Sequence, residues 1–356
     1  VDQAGCGYYQ FTQNNGRRWS TASAYLNPVR SRTNLTIVTH AHAQRVLFES
    51  KRACGVEISR RGKSETIHGA HIILSGGAIA SPQLLEVSGV GDGERLRDLG
   101  IDVVHHAPDV GEHLQDHLLC KVVYGTEPER SINREVQGLN LVPAALKWFF
   151  LRQGPLTTGS APVGAFCHTR AGLEAPDVQI HFASGGTLYN NAGKIQAMKE
   201  PAITAVVNQS RPESRGSIHI KSANMSGAPA IFANYLSSPL DQDTLLKGMR
   251  ILLDVFQQSD LRPYLKQRLS PSENLDVNSD DDLMAYIRNE ASTVYHPTST
   301  CSIGKVVDPN LGVMGLEGLS VIDASVMPYV VSGNTNAATI MLAEKGADLL
   351  LAARAS

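Results

Sequence analysis

The sequence predicts a mixed fold in two parts: an α/β part, and an α+β part built on an antiparallel sheet. The apolar run 72–74 leads directly into two glycines and a helical segment, as a strand covered on both faces does in an α/β layer. Between residues 121 and 290, alternating segments such as 178–182 accompany the helical repeat of Leu245, Met249, Leu252 and Phe256. The 356 residues, 42% of them hydrophobic, suffice for a large core in two linked domains.

The first third of the chain reads as turns and short strands. An Asn-Gly turn near residue 15 precedes a short helix over 20–26. The predicted strands are 36–39, 43–49, 55–59, 65–68 and 70–75. The run Arg-Arg-Gly-Lys at 60–63 predicts a hairpin turn between two of them.

The strand at 70–75 should lead into a helix. Ser81 is placed to cap that helix and Pro82 to occupy its first position. The helix should end before Gly89, and a second helix over 92–100 should precede a strand over 101–105. Locally, the glycine turn at 76–77 is equally consistent with a ligand-facing turn and with an ordinary strand-to-helix connection.

Two further patterns have alternative interpretations. His113 and His117 are four residues apart and could share a helix face as metal ligands, but the Glu of an HExxH site and a third ligand are missing. We therefore predict no metal site. The aromatic run Trp148-Phe149-Phe150 is interpreted as core rather than as a substrate-binding box.

Bulk properties exclude some classes of function. The net charge of −2 and the pI of about 6.7 provide no basic field, so nucleic acid is not expected as a partner. Five cysteines without a CxxC pair favour a reducing, cytoplasmic location. No apolar run reaches about 18 residues, the length that indicates a transmembrane helix.

The segment 295–345 carries the candidate chemistry. His296 has a side chain whose pKa lies near working pH and could accept a proton. Asn334 precedes a predicted helix and could orient a hydroxyl group through its amide. Taken alone, however, a single histidine is more often a hydrogen-bonded structural residue.

Five sequence blocks together resemble the glucose–methanol–choline (GMC) oxidoreductase family. Residues 77–85 read GAIASPQLL and are followed by SGVG at 88–91, similar to the second signature of that family. Residues 110–117 read VGEHLQDH, similar to its VGxNLQDH stretch. Residues 295–304 read YHPTSTCSIG, similar to HPxGTCxMG with Ser299 in place of Gly and Ile303 in place of Met. The blocks DASVMP at 323–328 and GNTNA at 333–337 complete the resemblance, which covers nearly the whole chain.

The resemblance implies roles for particular residues. His296 would be the active-site histidine and Asn334 the second catalytic residue. FAD would be the cofactor, with Asp323 and Ala324 near its pyrophosphate and the backbone of Ala43 at its adenine. Thr335 and Asn336 would lie at the flavin pyrimidine edge, where the positive helix N-terminus suits the negative charge of reduced flavin.

The resemblance also implies an activity: oxidation of a primary alcohol to an aldehyde by hydride transfer to flavin N5. The substrate would be a small alcohol, with choline not favoured over others, and the electron acceptor would be oxygen or a quinone-like compound. Residues 33–120 and 301–356 would belong to the FAD-binding domain, and residues 1–32 and 121–300 mainly to the substrate-binding domain.

One departure from the family is large. The βαβ unit with its GxGxxG fingerprint is absent from the sequence, so we expect the chain to bind FAD weakly unless an N-terminal segment or chain supplies that unit. A hydroxynitrile lyase-like enzyme that binds FAD without redox turnover, and a noncatalytic fragment that pairs with such a chain, stay open as alternatives. A metallohydrolase built on His113 and His117 is the least favoured.

Overall fold

The computed structural model describes residues 3–159, 161–189 and 195–355. They form two compact units. The first contains Val1–Ile37, Leu118–Gln209 and Gln242–Ser292, and the second contains Val38–His117, Ser210–Asp241 and Thr293–Ser356. Which part binds the cofactor and which the substrate stays a prediction.

An antiparallel sheet forms the centre of the first unit. Its strands lie in the order Gly5–Tyr8, Val163–Cys167, Val178–Ala183, Ala202–Gln209, Leu118–Thr126 and Leu265–Ser270. Two hairpins accompany it, Gln13–Asn14 with Arg17–Arg18 and Thr187–Tyr189 with Ile195–Ala197. The predicted antiparallel sheet with helices is thus confirmed for this unit.

The first unit also contains several helices and 3₁₀ turns. The helices are Ala22–Leu26, which is π-helical, Asn27–Val29, Leu141–Leu151, Asp280–Glu290 and, for most of its length, Pro239–Val255. Short 3₁₀ turns occur at Pro128–Arg130, Ile132–Arg134, Gly138–Asn140, Pro155–Thr157 and Arg262–Tyr264. The Phe256 ring after the helix Pro239–Val255 lies 4.8 Å from the Tyr124 ring, centroid to centroid. The predicted helical repeat through Leu245 therefore faces the sheet.

A three-stranded antiparallel sheet begins the second unit: Ala41–Glu49, Arg52–Arg60 and Lys63–His68. Arg61 and Gly62 connect the last two strands with φ of 51° and 77°. Positive φ at both central residues is the type I′ geometry that suits a two-residue hairpin. The hairpin predicted at 60–63 is confirmed.

A parallel strand pair and three helices complete the second unit. Ile72–Leu74 pairs in parallel with Leu319–Val321. The helices are Gly77–Val87, Gly93–Asp98 and Thr335–Ala355, with a 3₁₀ turn at Ala324–Val326. The short pairs are Val90–Gly91 with His105–His106, and Ser217–His219 with Ala230–Phe232. The short strand Ser292–Thr293 pairs with Leu118–Thr126 of the larger antiparallel sheet. Leu85, Leu96 and Val321 are fully buried in the apolar core of this unit.

Three predictions of local structure are wrong. The helix 77–87 begins at Gly77, so Pro82 lies inside it, and Ser81 does not cap it. The Ser81 hydroxyl instead donates to Asp323 Oδ2 at 2.6 Å, a partner that lies far away in sequence. Residues 36–39 form no strand, and the strand expected at 101–105 is reduced to His105–His106.

The aromatic run at 148–150 is also misassigned. Trp148 is half-buried, but Phe149 and Phe150 are exposed on the helix Leu141–Leu151. Apolar content alone does not distinguish a core helix from one with an apolar outer face.

Candidate active site

His296 lies on a buried loop whose backbone is unusual on both sides. Tyr295 before it has φ of 62°, and Ser299 after it has φ of 76°. Non-glycine residues rarely adopt this left-handed region. Ser299 occupies the place of a Gly in the family motif, so its backbone keeps a conformation that glycine adopts freely.

The VGEHLQDH stretch at 110–117 holds this loop through the backbone. Gln115 and Thr298 exchange hydrogen bonds, with Thr298 N donating to Gln115 O at 2.8 Å. Gly111 N donates to Thr300 O at 2.9 Å. Two motifs that are far apart in sequence therefore form one small piece of structure.

Asp116 fixes the start of the loop through its carboxylate. Oδ1 accepts the His296 backbone N–H at 2.8 Å, and Oδ2 accepts the Tyr235 hydroxyl at 2.5 Å and the Thr293 hydroxyl. Burial, together with the negative charge of Asp116, raises the pKa of Tyr235, so its phenol remains a donor. The buried carboxylate is thus well satisfied.

The His296 imidazole lies between two side chains. Its Nδ1 is 3.0 Å from Nδ1 of His117, and its Nε2 is 3.4 Å from Nδ2 of Asn334. The two rings meet edge to face with centroids 5.2 Å apart. The structure therefore brings together His296 and Asn334, the two residues predicted to be catalytic.

The hydrogen bonds of His117 determine which nitrogen of His296 carries the proton. His117 Nε2 is 3.2 Å from the Ser210 carbonyl oxygen, which can only accept, so Nε2 donates. With His117 neutral, its remaining Nδ1 accepts, and Nδ1 of His296 donates to it. The Nε2 of neutral His296 is left as an unprotonated acceptor on the side of Asn334.

Burial also changes the basicity of His296, which is only 8% exposed. Desolvation lowers the pKa of His296, and the nearby negative charge of Asp116 offsets part of that effect. The ring is therefore neutral near pH 7 and available to accept a proton.

The helix Thr335–Ala355 begins next to this imidazole. Asn334 precedes it, so Thr335 and Asn336 contribute N–H groups of its first turn, which lack partners within the helix. At 21 residues the helix is long enough for a full macrodipole. The candidate pyrimidine-edge residues are thus adjacent to the candidate catalytic pair.

Asp323 links the segments that follow the two parallel strands Ile72–Leu74 and Leu319–Val321. Its Oδ2 accepts Gly77 N at 2.9 Å in addition to the Ser81 hydroxyl, and its Oδ1 accepts Ser325 N at 2.8 Å. These bonds anchor the turn at Gly77 beside Ala324. The loop after His296 contacts the same turn through Ser299 N, which donates to Ala324 O at 3.4 Å.

Ala43 lies on a different element, the outer strand Ala41–Glu49 of the antiparallel sheet. It pairs with Ile58, and the register shifts between Ala43 and Arg45. A bulge on an outer strand leaves backbone groups outside the ladder.

The metal interpretation of His113 and His117 receives no support from their positions. His113 Nε2 lies 2.6 Å from Asp109 Oδ1, whereas the buried His117 contacts His296. The stretch that carries them is not helical. Within the described ranges, no cluster of three or more His, Cys, Asp or Glu side chains is arranged to hold a metal ion.

Sequence profiles of known families match both ends of the chain. The N-terminal profile described as GMC oxidoreductase matches residues 2–119, and the C-terminal profile of the same family matches residues 212–343. The chain belongs to the GMC oxidoreductase family.

Curated relatives of this GMC protein include two dehydrogenases. Human mitochondrial choline dehydrogenase is 38% identical over 355 residues, which are 98% of this chain and 59% of the relative. The alcohol dehydrogenase [acceptor] of Pseudomonas putida is 39% identical over 360 residues, 98% of this chain and 64% of the relative. The chain thus spans about three fifths of the length of these relatives.

Solved structures share the fold. Pyridoxine 4-oxidase from Mesorbium loti superposes with a TM-score of 0.83 at 25% identity, over 98% of this chain and 64% of its own. A formate oxidase from Aspergillus oryzae studied for FAD modification has a TM-score of 0.88 at 24% identity, over 96% and 64%. The predicted family, its mixed α and β fold and FAD as the cofactor of the family are confirmed.

The residues of this GMC chain fit the ring end of such a cofactor. The turn at Gly77 has φ of 75° and open space where a side chain would project, so a ligand can approach its backbone. The helix start at Thr335 suits a negatively charged ring edge. No GxGxxG segment occurs in the 356 residues, so we assign no pyrophosphate contact to a fingerprint turn.

Two residues of the site were not predicted from the sequence. His117 was considered as a metal ligand and Asp116 was given no role, yet both contact His296. The available signal was the adjacency of a carboxylate and an imidazole in the LQDH block, which resembles a stretch of the family.

Proposed function

We propose that this protein, with FAD as hydride acceptor, oxidises a primary alcohol to an aldehyde. The observation that supports this most is the position of His296 Nε2 beside the Asn334 amide, 3.4 Å from Nδ2. Removal of a hydroxyl proton requires a base within reach of the hydroxyl, and a neighbouring amide can orient the hydroxyl oxygen. When bound, the flavin supplies N5 as the atom that accepts hydride from the alcohol carbon.

His296 accepts the hydroxyl proton at Nε2. The contact with His117 Nδ1 orients its ring, and the bond from its backbone N–H to Asp116 fixes the loop that carries it. The charge that appears on the ring is stabilised by the nearby Asp116 carboxylate, which acts on His296 in that direction. Pre-organisation of this kind lowers the cost of reaching the transition state.

Asn334 orients the hydroxyl oxygen through its side-chain amide. Asn334 directly precedes the helix Thr335–Ala355, and its Nδ2 lies 3.4 Å from His296 Nε2. Thr335 and Asn336 would face the flavin pyrimidine edge, Asp323 and Ala324 would approach the pyrophosphate, and the Ala43 backbone would contact the adenine.

The names of the relatives support an alcohol as substrate, one being a choline dehydrogenase and the other an alcohol dehydrogenase [acceptor]. Oxygen or a quinone-like compound would reoxidise the flavin. We propose no preference for choline over uncharged primary alcohols.

The test is flavin reduction in enzyme that carries FAD. Anaerobic mixing with a primary alcohol should bleach the flavin absorbance, and His296→Ala should slow that bleaching by about 10²–10⁴-fold, the usual contribution of a positioned base. His68→Ala, on an exposed strand end, is the matched control and should reduce at the wild-type rate.

Two outcomes would contradict the proposal. Bleaching of His296→Ala near the wild-type rate would remove His296 from the reaction. A wild-type flavin that stays oxidised with every alcohol tested, while the protein cleaves a cyanohydrin, would favour the lyase alternative.

A further inference from the structure

The side chain of Gln115 is buried and hydrogen-bonded at both of its polar atoms. The residue is 2% exposed. Its Nε2 donates to the carbonyl oxygen of Pro212 at 2.6 Å, and its Oε1 accepts the backbone N–H of Val330 at 2.9 Å. A carbonyl oxygen can only accept and a backbone N–H can only donate, so these two partners define the orientation of the amide. The amide therefore connects two backbone segments that are far apart in sequence.

Each of these two segments carries part of the candidate active site. The first begins at Ser210, whose carbonyl oxygen lies 3.2 Å from Nε2 of His117. The second leads to Asn334, and a backbone bond from Gly333 N to Val331 O at 2.8 Å makes it compact. The Gln115 amide thus lies between the segment that orients His117 and the segment that leads to Asn334.

The backbone of Gln115 holds a third part of the site, the loop that carries His296. Gln115 N donates to Thr298 O at 3.2 Å, and Thr298 N donates to Gln115 O at 2.8 Å. All of these residues belong to the second unit. One residue therefore contacts the loop of His296, the segment before Asn334 and the segment that begins at Ser210.

A second link between the two segments is exposed to solvent. Arg211 Nε donates to Ser332 Oγ at 2.9 Å, and Arg211 is an exposed residue. Water competes for an exposed hydrogen bond, whereas removal of the buried amide would leave the Pro212 carbonyl and the Val330 N–H without this partner. The buried amide is therefore the stronger restraint on the two segments.

We propose that Gln115 is a positioning residue for alcohol oxidation, whose amide sets the distance between His296 Nε2 and the Asn334 amide. The inference rests on the proposed function, in which these two groups act on the same hydroxyl. A displacement of about 1 Å between groups that must act together can lower a rate about a hundredfold. Glutamine suits this position because the end of its side chain presents both a donor and an acceptor.

The test compares Gln115→Leu with Gln83→Leu in enzyme that carries FAD. Gln83 is a matched control: it is 6% exposed, and its Nε2 donates to the carbonyl oxygens of Met225 and Gly227 at 3.1 and 2.8 Å. Both variants lose buried hydrogen bonds and should lower the Tm by similar amounts. Well below the Tm, Gln115→Leu should reduce flavin about a hundredfold more slowly in anaerobic stopped flow, whereas Gln83→Leu should match wild type.

A second variant, Gln115→Glu, tests the need for a donor at this position. A carboxylate there would face the Pro212 carbonyl oxygen, whereas the protonated acid can donate to that oxygen as the amide does. The rate of flavin reduction by this variant, divided by the wild-type rate at the same pH, should therefore rise as the pH falls. Circular dichroism at each pH confirms that the variant is folded, so that a change in the ratio reports position rather than unfolding.

Hydrogen exchange tests the geometry without FAD or alcohol. In Gln115→Leu the Val330 N–H loses its acceptor, so peptides covering 328–334 should take up deuterium faster than in wild type or in Gln83→Leu. The proposal is overturned if Gln115→Leu reduces flavin at the wild-type rate, if both leucine variants slow equally, or if exchange at 328–334 is unchanged. If no alcohol reduces the wild-type flavin, the proposed function fails, while faster exchange would still support the restraint that Gln115 places on Asn334.

Discussion

Two neutral imidazoles that face each other through Nδ1 cannot both donate a hydrogen bond. His117 and His296 face each other through Nδ1 at 3.0 Å, and with His117 neutral the Ser210 carbonyl decides between them because it requires a proton on His117 Nε2. His117 therefore acts through His296 and is a positioning residue.

The residue-scale prediction for His117 follows from that role. His117→Ala removes the acceptor for His296 Nδ1–H, so the tautomer with the proton on Nε2 becomes accessible and flavin reduction should slow about tenfold, as expected for one lost hydrogen bond. His117→Gln keeps an acceptor in reach and should restore most of the rate. A purely structural role predicts instead that both variants lose activity in proportion to their lost stability, as thermal melting would show.

The pH dependence of flavin reduction is a second prediction at this scale. Burial lowers the pKa of His296, and a base is active only when unprotonated. Reduction should therefore stay fast as pH falls through about 6.5, the ordinary histidine value, and decline only at lower pH. Stopped-flow measurements of flavin reduction at acidic pH would show where the rate declines. A decline that begins above a pH of about 6.5, the ordinary histidine pKa, would contradict the effect of burial on the pKa of His296.

At the scale of elements, the motif at 110–117 links the loop that carries His296 to a neighbouring strand. Gly111 has φ of 82°, donates to Thr300 O and accepts from Ile218 N at 2.7 Å, so it joins the His296 loop to the strand Ser217–His219. A Cβ at Gly111 would lie 2.1 Å from the Ile218 carbonyl oxygen. The glycine is required both by its backbone conformation and by this close approach.

Gly111→Ala should lower the free energy of unfolding by about 3 kcal/mol more than its control, because strand and loop must separate to admit the methyl group. Gly100→Ala is the control: its φ of 72° is similar, but open space surrounds the added Cβ. The control should cost only about 1 kcal/mol for the left-handed conformation. Urea denaturation measures both, and equal losses would show that the carbonyl contact does not matter.

At the scale of the whole molecule, the five cysteines report on burial in both units. All are free, with Cys6 exposed and Cys120 and Cys301 buried. Burial raises the pKa of Cys120 to about 12 and also raises that of Cys301. The thiolate, not the thiol, is the reactive form. Cys120 and Cys301 are therefore protected from thiol reagents both by burial and by their raised pKa.

A thiol titration should therefore separate the cysteines. Under native conditions Cys6 should react first with Ellman's reagent, whereas Cys120 and Cys301 should react only after unfolding in denaturant. Rapid reaction of Cys301 in the native protein would contradict the packing of the second unit. Fewer than five reactive thiols in denaturant without reductant would contradict the absence of disulfides.

Local sequence determined much of this protein. The hairpin at Arg61-Gly62, the helix capped by Asp92 and the helix from Thr335 were predictable because turn preference, capping and periodicity act within a few residues. Five separated blocks also determined the family, since their order and content are specific to it. They placed His296 and Asn334 as candidates before any contact between them was known.

Tertiary structure decided what depends on distant partners. The start of the helix Gly77–Val87 follows from the carboxylate of Asp323, which binds Gly77 N and Ser81 across 246 and 242 positions of sequence. The proton on His296 is directed by His117 and Ser210, and the aromatic residues of the helix Leu141–Leu151 point outward because Ala144 and Trp148 take its inner side. Periodicity shows that a helix has an apolar face, but only the packed chain decides whether that face meets the protein interior.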